Sequence, residues 1–173
     1  MKDNLKQRSQ WFKKYSQRLD EGTIEPPLSG VRYPCPCCGY LTLSQRGGFE
    51  ICELCRWEDD GQDDPHADEV WGGPNGRYSL SEARQNFERY LIKYSPGDPK
   101  RRLGGNTNTS LEEQAKRAII TAFESMIDVS DEGTIDTLWQ RIFENEVILK
   151  SEVRRRVSEY EAQAKKNEGH GQS

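Results

Sequence analysis

Residues 33–55 read YPCPCCGYLTLSQRGGFEICELC, and this stretch holds all five cysteines of the 173-residue chain. Four of them form two C-x-x-C pairs, Cys35/Cys38 and Cys52/Cys55, with thirteen residues between the pairs. A C-x-x-C turn curls over an ion and brings two sulfurs to one side of it, and four thiolates satisfy the tetrahedral preference of zinc. Pro36 presets φ at the start of the first turn. Gly39 permits a positive φ or a close approach after the second ligand. Cys35, Cys38, Cys52 and Cys55 are therefore the predicted ligands of a structural Zn2+, with iron as the chemical rival. Cys37 remains as a spare thiol, either activated by a neighbouring cation or packed as a spectator. Between the pairs the pattern predicts a hairpin, residues 40–43 against 49–51, turned at 45–48.

Outward from this stretch the composition sets bounds. The hydrophobic fraction is 33%, against roughly 45–50% for an ordinary globular domain counted with glycine. A metal is one way to stabilise a module with a small core. No run approaches the roughly 18–20 apolar residues of a membrane helix. The N-terminal stretch is basic but lacks an apolar segment, so it does not read as a secretory signal. The expected location is the cytoplasm, where clustered thiols bind metal more often than they pair. Net charge is −4, which argues against a general duplex nucleic-acid binder. The charge is uneven. Residues 1–19 carry six basic side chains against one acidic, and residues 49–70 carry nine acidic against one basic.

Around the cysteines the periodicity is helical, so the expected class is α+β: a small zinc-ribbon-like hairpin module flanked by helices. Leu5, Phe12, Tyr15 and Leu19 form one stripe, with Trp11 at its edge, and predict a helix laid against the rest of the chain. Gly22 and Pro26-Pro27 end it. Ser79-Leu80-Ser81-Glu82 is a capping box that opens a helix running to Ser95-Pro96-Gly97. A second box, Ser110 to Glu113, opens another that stops near 129–133. From Ile135 the pattern supports one long helix or two. The predicted organisation is 1–28 helix and linker, 29–97 metal domain with its loop and helix, 98–168 helical region, and 169–173 a disordered tail. Residues 100–109 read as a flexible connector, and the repeated DEGTI at 20–24 and 131–135 as two turns.

Residues 57–77, WEDDGQDDPHADEVWGGPNGR, have neither helical nor strand period and predict a long loop. Its Trp57, Glu58, Asp59, Asp60, Asp63, Asp64 and Trp71 are candidate partner-binding residues. An acidic surface with tryptophan anchors suits a basic protein.

The segments YPCPCCGYLTL, ICELC, WEDDG and PNGRYSLSEARQNF, within residues 33–87, resemble the bacterial cysteine-rich CPCC family. Arg56 departs from the aromatic expected before Trp57. The resemblance covers roughly a third of the chain and implies a small zinc-ribbon-type domain, with no catalytic residue to carry over. The expected function is that of a non-catalytic, zinc-stabilised interaction protein, of an immunity or antitoxin-like kind. Two alternatives stand beside it. One is a nucleic-acid-associated ribbon using Lys100-Arg101-Arg102 and Arg154-Arg155-Arg156, and the other is an enzyme using the acidic loop with His66.

Overall fold

The computed structural model describes residues 2–101 and 110–169. Helix α1, Lys2–Asp20, buries Phe12, Tyr15 and Leu19. These stand three and four residues apart, so they share one face. The helix stops where Gly22 takes φ 67° and Thr23 N–H reaches back to the Arg18 carbonyl at 2.9 Å. The chain then crosses to β1, Tyr33–Pro34, which pairs antiparallel with β2, Leu41–Leu43.

This pairing corrects the predicted hairpin. Residues 40–43 do not pair with 49–51; each cysteine turn closes its own flanks instead. Residues 33–34 meet 41–43 around the first turn. Around the second turn, Phe49 N–H donates to the Asp59 carbonyl at 2.9 Å and Ile51 bridges Glu58. The hydrogen bonds of each turn, Cys35 N–H to the Tyr40 carbonyl and Cys52 N–H to the Trp57 carbonyl, already lay its own flanks side by side, so the pairing forms there. The link between the two turns is closed by a side chain, as the Glu50 carboxylate accepts from Ser44 N–H and Ser44 Oγ at 2.8 and 2.7 Å.

Helix α2, Leu80–Tyr90, begins as expected, with Ser79 Oγ accepting from Glu82 N–H at 3.1 Å. It ends earlier than predicted. Leu91 adopts φ 58°, and the chain turns inward to bury Ile92 and Lys93. Helices α3, Ser110–Ile127, and α4, Glu132–Gly169, form a hairpin joined by a short turn. The Asp131 carboxylate caps α4 through Thr134 N–H at 2.9 Å. Residues 132–169 are one helix, about 57 Å long at 1.5 Å per residue. The first DEGTI copy thus ends a helix and the second starts one. Of the predicted connector at 100–109, residues 102–109 lie outside the described residues, as do the last four of the predicted tail, while residues 100–101 are helical and Gly169 belongs to α4.

One core runs through all three predicted segments. At its centre the Tyr40 ring stacks on Phe123 of α3, with centroids 5.5 Å apart, and meets Phe12 of α1 and Phe87 of α2 edge-on. Trp139 of α4 closes the set against Phe123 at 5.6 Å. Arg32 forks onto Glu146 of α4 at 2.6 and 3.0 Å and donates to the Leu41 carbonyl at 3.3 Å, tying the helical hairpin to β2. A buried ion pair between Glu112 and Arg156 joins α3 to α4. No described helix is long and apolar enough to cross a membrane.

Candidate metal centre

The two cysteine turns are copies of one motif. In the first, Cys35 N–H donates to the Tyr40 carbonyl and Gly39 N–H to the Cys35 carbonyl, at 2.9 and 2.8 Å. In the second, Cys52 N–H donates to the Trp57 carbonyl and Arg56 N–H to the Cys52 carbonyl, at 2.8 and 2.9 Å. The residue after each second cysteine is left-handed, φ 78° at Gly39 and 66° at Arg56. The next residue is a fully buried aromatic, Tyr40 or Trp57. An aromatic side chain here anchors each turn in the core, which is why the turns hold their shape.

The turns face one another. The sulfurs of Cys35, Cys38, Cys52 and Cys55 are all buried and lie within 4.8 Å of one another. Cys35 and Cys55 Sγ are 3.6 Å apart, and Cys38 and Cys52 Sγ are 3.7 Å apart. Four thiolates on a tetrahedron at about 2.3 Å from an ion stand about 3.8 Å apart. The quartet therefore fits one metal ion. Cys37 is buried but lies outside this quartet. Without an ion, burial pushes its thiol up.

Without an ion, burial raises the thiols of Cys35, Cys38 and Cys55 well above the usual range. Burial acts the same way on Cys52, but hydrogen bonds from Cys35, Cys38 and Cys55 overcome it and pull Cys52 well below its ordinary value. An incoming cation would displace the protons that the quartet shares.

A layer of polar contacts positions the turns. Thr42 Oγ1 lies 3.1 Å from Cys52 Sγ, and Trp57 N–H donates to Cys55 Sγ at 3.4 Å. The carbonyls of the second cysteine in each turn are held in parallel ways. Arg8 Nε donates to the Cys38 carbonyl at 3.0 Å, and Lys93 N–H donates to the Cys55 carbonyl at 2.8 Å. The same two residues carry their cations over the paired aromatics, Arg8 at 4.3 Å above Tyr40 and Lys93 at 5.8 Å from the Trp57 centroid. Arg84 of α2 donates twice to the Pro36 carbonyl at 2.9 and 2.8 Å. Lys116 of α3 is buried, donates to the Leu91 carbonyl at 2.8 Å, and has its ammonium pulled down to about 8 by burial. Sequence reasoning missed these residues. Arg8 had one visible signal, a cation inside the apolar stripe between Leu5 and Phe12.

The acidic loop is ordered, with short 3-10 turns at Asp64–His66 and Gly73–Asn75. Trp57 and Asp59 are fully buried, so they are interior groups and present no surface to a partner. The Asp59 carboxylate accepts from Arg46 Nε at 2.9 Å and Gly47 N–H at 2.7 Å. Asp63 is half-buried and accepts from Arg46 Nη2 at 3.2 Å. Its carboxyl is held down against the opposing effect of burial by Asp64 N–H and the Arg46 charge. Asp60 accepts from Gln62 N–H at 3.1 Å, and Asp64 accepts from Arg84 at 2.7 Å. Asn75 clamps Glu58 through its backbone, accepting from its N–H at 3.1 Å and donating to its carbonyl at 2.8 Å. Trp71 is exposed and its indole donates to Glu69 at 3.0 Å. His66 is also exposed and pairs through Nδ1 with the other Glu69 oxygen at 3.0 Å.

Among known protein families, residues 33–92 match the one described as Cysteine-rich CPCC. No curated protein and no solved structure matches the chain. The matched segment takes in both cysteine turns, the acidic loop and α2, and leaves α1, α3 and α4 outside it. The similarity to the cysteine-rich CPCC family is thus a similarity of residues 33–92, about a third of the chain.

Proposed function

We propose that the chain is a non-catalytic protein-interaction protein whose four cysteines hold a structural zinc ion. The observation that carries this reading is the closed quartet of buried sulfurs, 3.6 and 3.7 Å apart across the two turns. A single ion bound by four thiolates has no position left for water or substrate. A multi-iron cluster would hold the sulfurs farther apart than a single ion does. When bound, the ion supplies charge neutralisation and cross-linking, and the chemistry at the site ends there.

The partner we propose is a basic protein surface, in the manner of an immunity or antitoxin protein covering its target. Complementary potentials steer such encounters. The part of the predicted set that supports this is its outer edge, where Asp64 and Trp71 are exposed and Glu58, Asp60 and Asp63 are half-buried. Two measurements test the reading. Metal analysis of the purified chain should give one zinc per chain. Affinity capture from the native host should recover a basic protein in amounts that fall with Asp64→Lys/Trp71→Ala. Recovery of nucleic acid alone, released steeply by salt, would overturn it.

A further inference from the structure

On the far side of the helical layer, α1 and α3 end and α4 begins. There a groove of about 510 Å³ has an apolar floor that includes Trp11, Ile24, Ile127 and Ile135. An adjoining section of about 630 Å³ continues it past Pro27, Leu28, Trp139 and Phe143. The two sections share Glu25 and Asp136, so the trough has an acidic waist with apolar pockets on either side.

The rim charge is one-sided. Glu25, Asp128, Glu132 and Asp136 face a single cation, Arg18. None of these four carboxylates makes an ion pair among the described residues. The acidic loop differs on this point, because Asp59, Asp60, Asp63 and Asp64 already accept hydrogen bonds from within the chain. Among the described residues, the carboxylates of the groove carry no ion pair of this kind. Leu28 stands fully exposed beside the second section.

We propose that this trough docks a basic amphipathic segment of another protein. An apolar side chain would fill each section, and a Lys or Arg between them would lie at the Glu25/Asp136 waist. Apolar burial supplies the affinity and the acidic rim selects the charge. This inference rests on the previous reading only in treating the chain as a binding protein; the surface is a different one.

The test uses the full-length, zinc-loaded, 15N-labelled chain. The probe is a 14-residue peptide with Leu and Phe spaced around Lys, and its control carries Glu in place of Lys. Binding of the Lys peptide should be salt-sensitive and shift the Trp11 indole and the Ile24, Ile135 and Asp136 amides. It should weaken about tenfold or more in Glu25→Lys/Asp136→Lys, since charges at a desolvated contact carry that much affinity. Both positions are exposed, so the variant keeps its fold and zinc content. Asp68→Lys/Glu69→Lys, on the loop, should bind as the unmodified chain does. Equal binding of the Glu peptide, shifts confined to the loop, or no binding of either peptide would overturn the proposal. So would a self-association that Glu25→Lys/Asp136→Lys abolishes, which would give the groove to a second copy of the chain. Failure here with intact capture of a basic partner through Asp64 and Trp71 would leave the previous reading standing.

Discussion

Gly39 and Arg56 occupy the same step of two superposable turns, each in the left-handed region and each donating its N–H to the first cysteine of its own turn. The equivalence is conformational only. A Cβ on Gly39 would stand 2.8 Å from Ser9 Oγ and 3.1 Å from Leu5 Cδ1, so α1 packs where a side chain would be. Arg56 is half-exposed, with its guanidinium 3.6 Å from Glu53. Gly39→Ala should therefore lower stability by about 2 kcal/mol or more, from backbone strain and displacement of α1 together. Arg56→Gly should raise it by about 1 kcal/mol, because the left-handed penalty disappears and an exposed ion pair is worth little. Urea denaturation of the metal-loaded proteins measures both, and equal effects of one sign would contradict the asymmetry.

Cys38→Ser and Cys55→Ser should lose the bound metal, while Cys37→Ser should keep it in full. The sulfur of Cys37 belongs to no four-ligand set. A tetrahedral site missing one thiolate loses much of a binding energy that runs to about 10 kcal/mol or more in small zinc domains. Metal content after dialysis at neutral pH settles the assignment. Loading should also weaken as pH falls, because the raised thiols of Cys35, Cys38 and Cys55 must give up protons to the ion.

Asp59→Ala should cost about 2 kcal/mol, since it removes the buried acceptor of the Gly47 N–H and of Arg46 Nε, leaving Arg46 only its pair with Asp63. Asp64→Ala, at an exposed pair with Arg84, should cost less than about 1 kcal/mol. The two substitutions lie in one acidic run, so comparing their melting temperatures separates interior carboxylates from surface ones.

Lys116 predicts a pH dependence. Burial lowers its ammonium from 10.5 to about 8 in the folded chain. Between those values the unfolded chain binds more protons, so the contribution of Lys116 to stability rises with pH across that window and is level below it. In metal-free protein, Lys116→Met should be more stable than the unmodified chain at pH 8. That advantage should shrink by an amount on the order of 3 kcal/mol toward pH 10.5. An advantage constant with pH would place the ammonium outside the low-dielectric interior. The charges of Cys55, Cys52 and Cys38 favour the ammonium, so loaded protein should show a smaller change.

The cysteine quartet was legible because its information is local: two C-x-x-C turns declare themselves within four residues each. Helix starts were legible for the same reason, as Ser79 shows with its cap on Glu82. The end of α2 was not. Sequence reading looks to Pro96-Gly97, whereas the structure spends a left-handed leucine at 91 to bring Lys93 beneath the second turn. The acidic loop misled in the opposite direction. Asp59 looks like a surface charge until Arg46, thirteen residues earlier, is folded onto it, and no local pattern announces an ion pair across a turn. Trp57 looked like an anchor for a partner, yet its role follows from its place opposite Tyr40 in the repeated turn.

Tyr40 follows a metal ligand by two residues and at the same time touches α1, α2 and α3. Ion binding and helix packing therefore draw on one thermodynamic cycle. Any substitution in α3 or α4 that loosens the Phe123 or Trp139 contacts must reappear as weaker metal affinity, tenfold for about every 1.4 kcal/mol transferred. Affinity for an ion at the four cysteines would be a readout of tertiary order in helices that hold none of them, and scarcity of that ion a means of loosening them. A chain starved of metal would hold its helical hairpin, like its cysteine turns, less firmly.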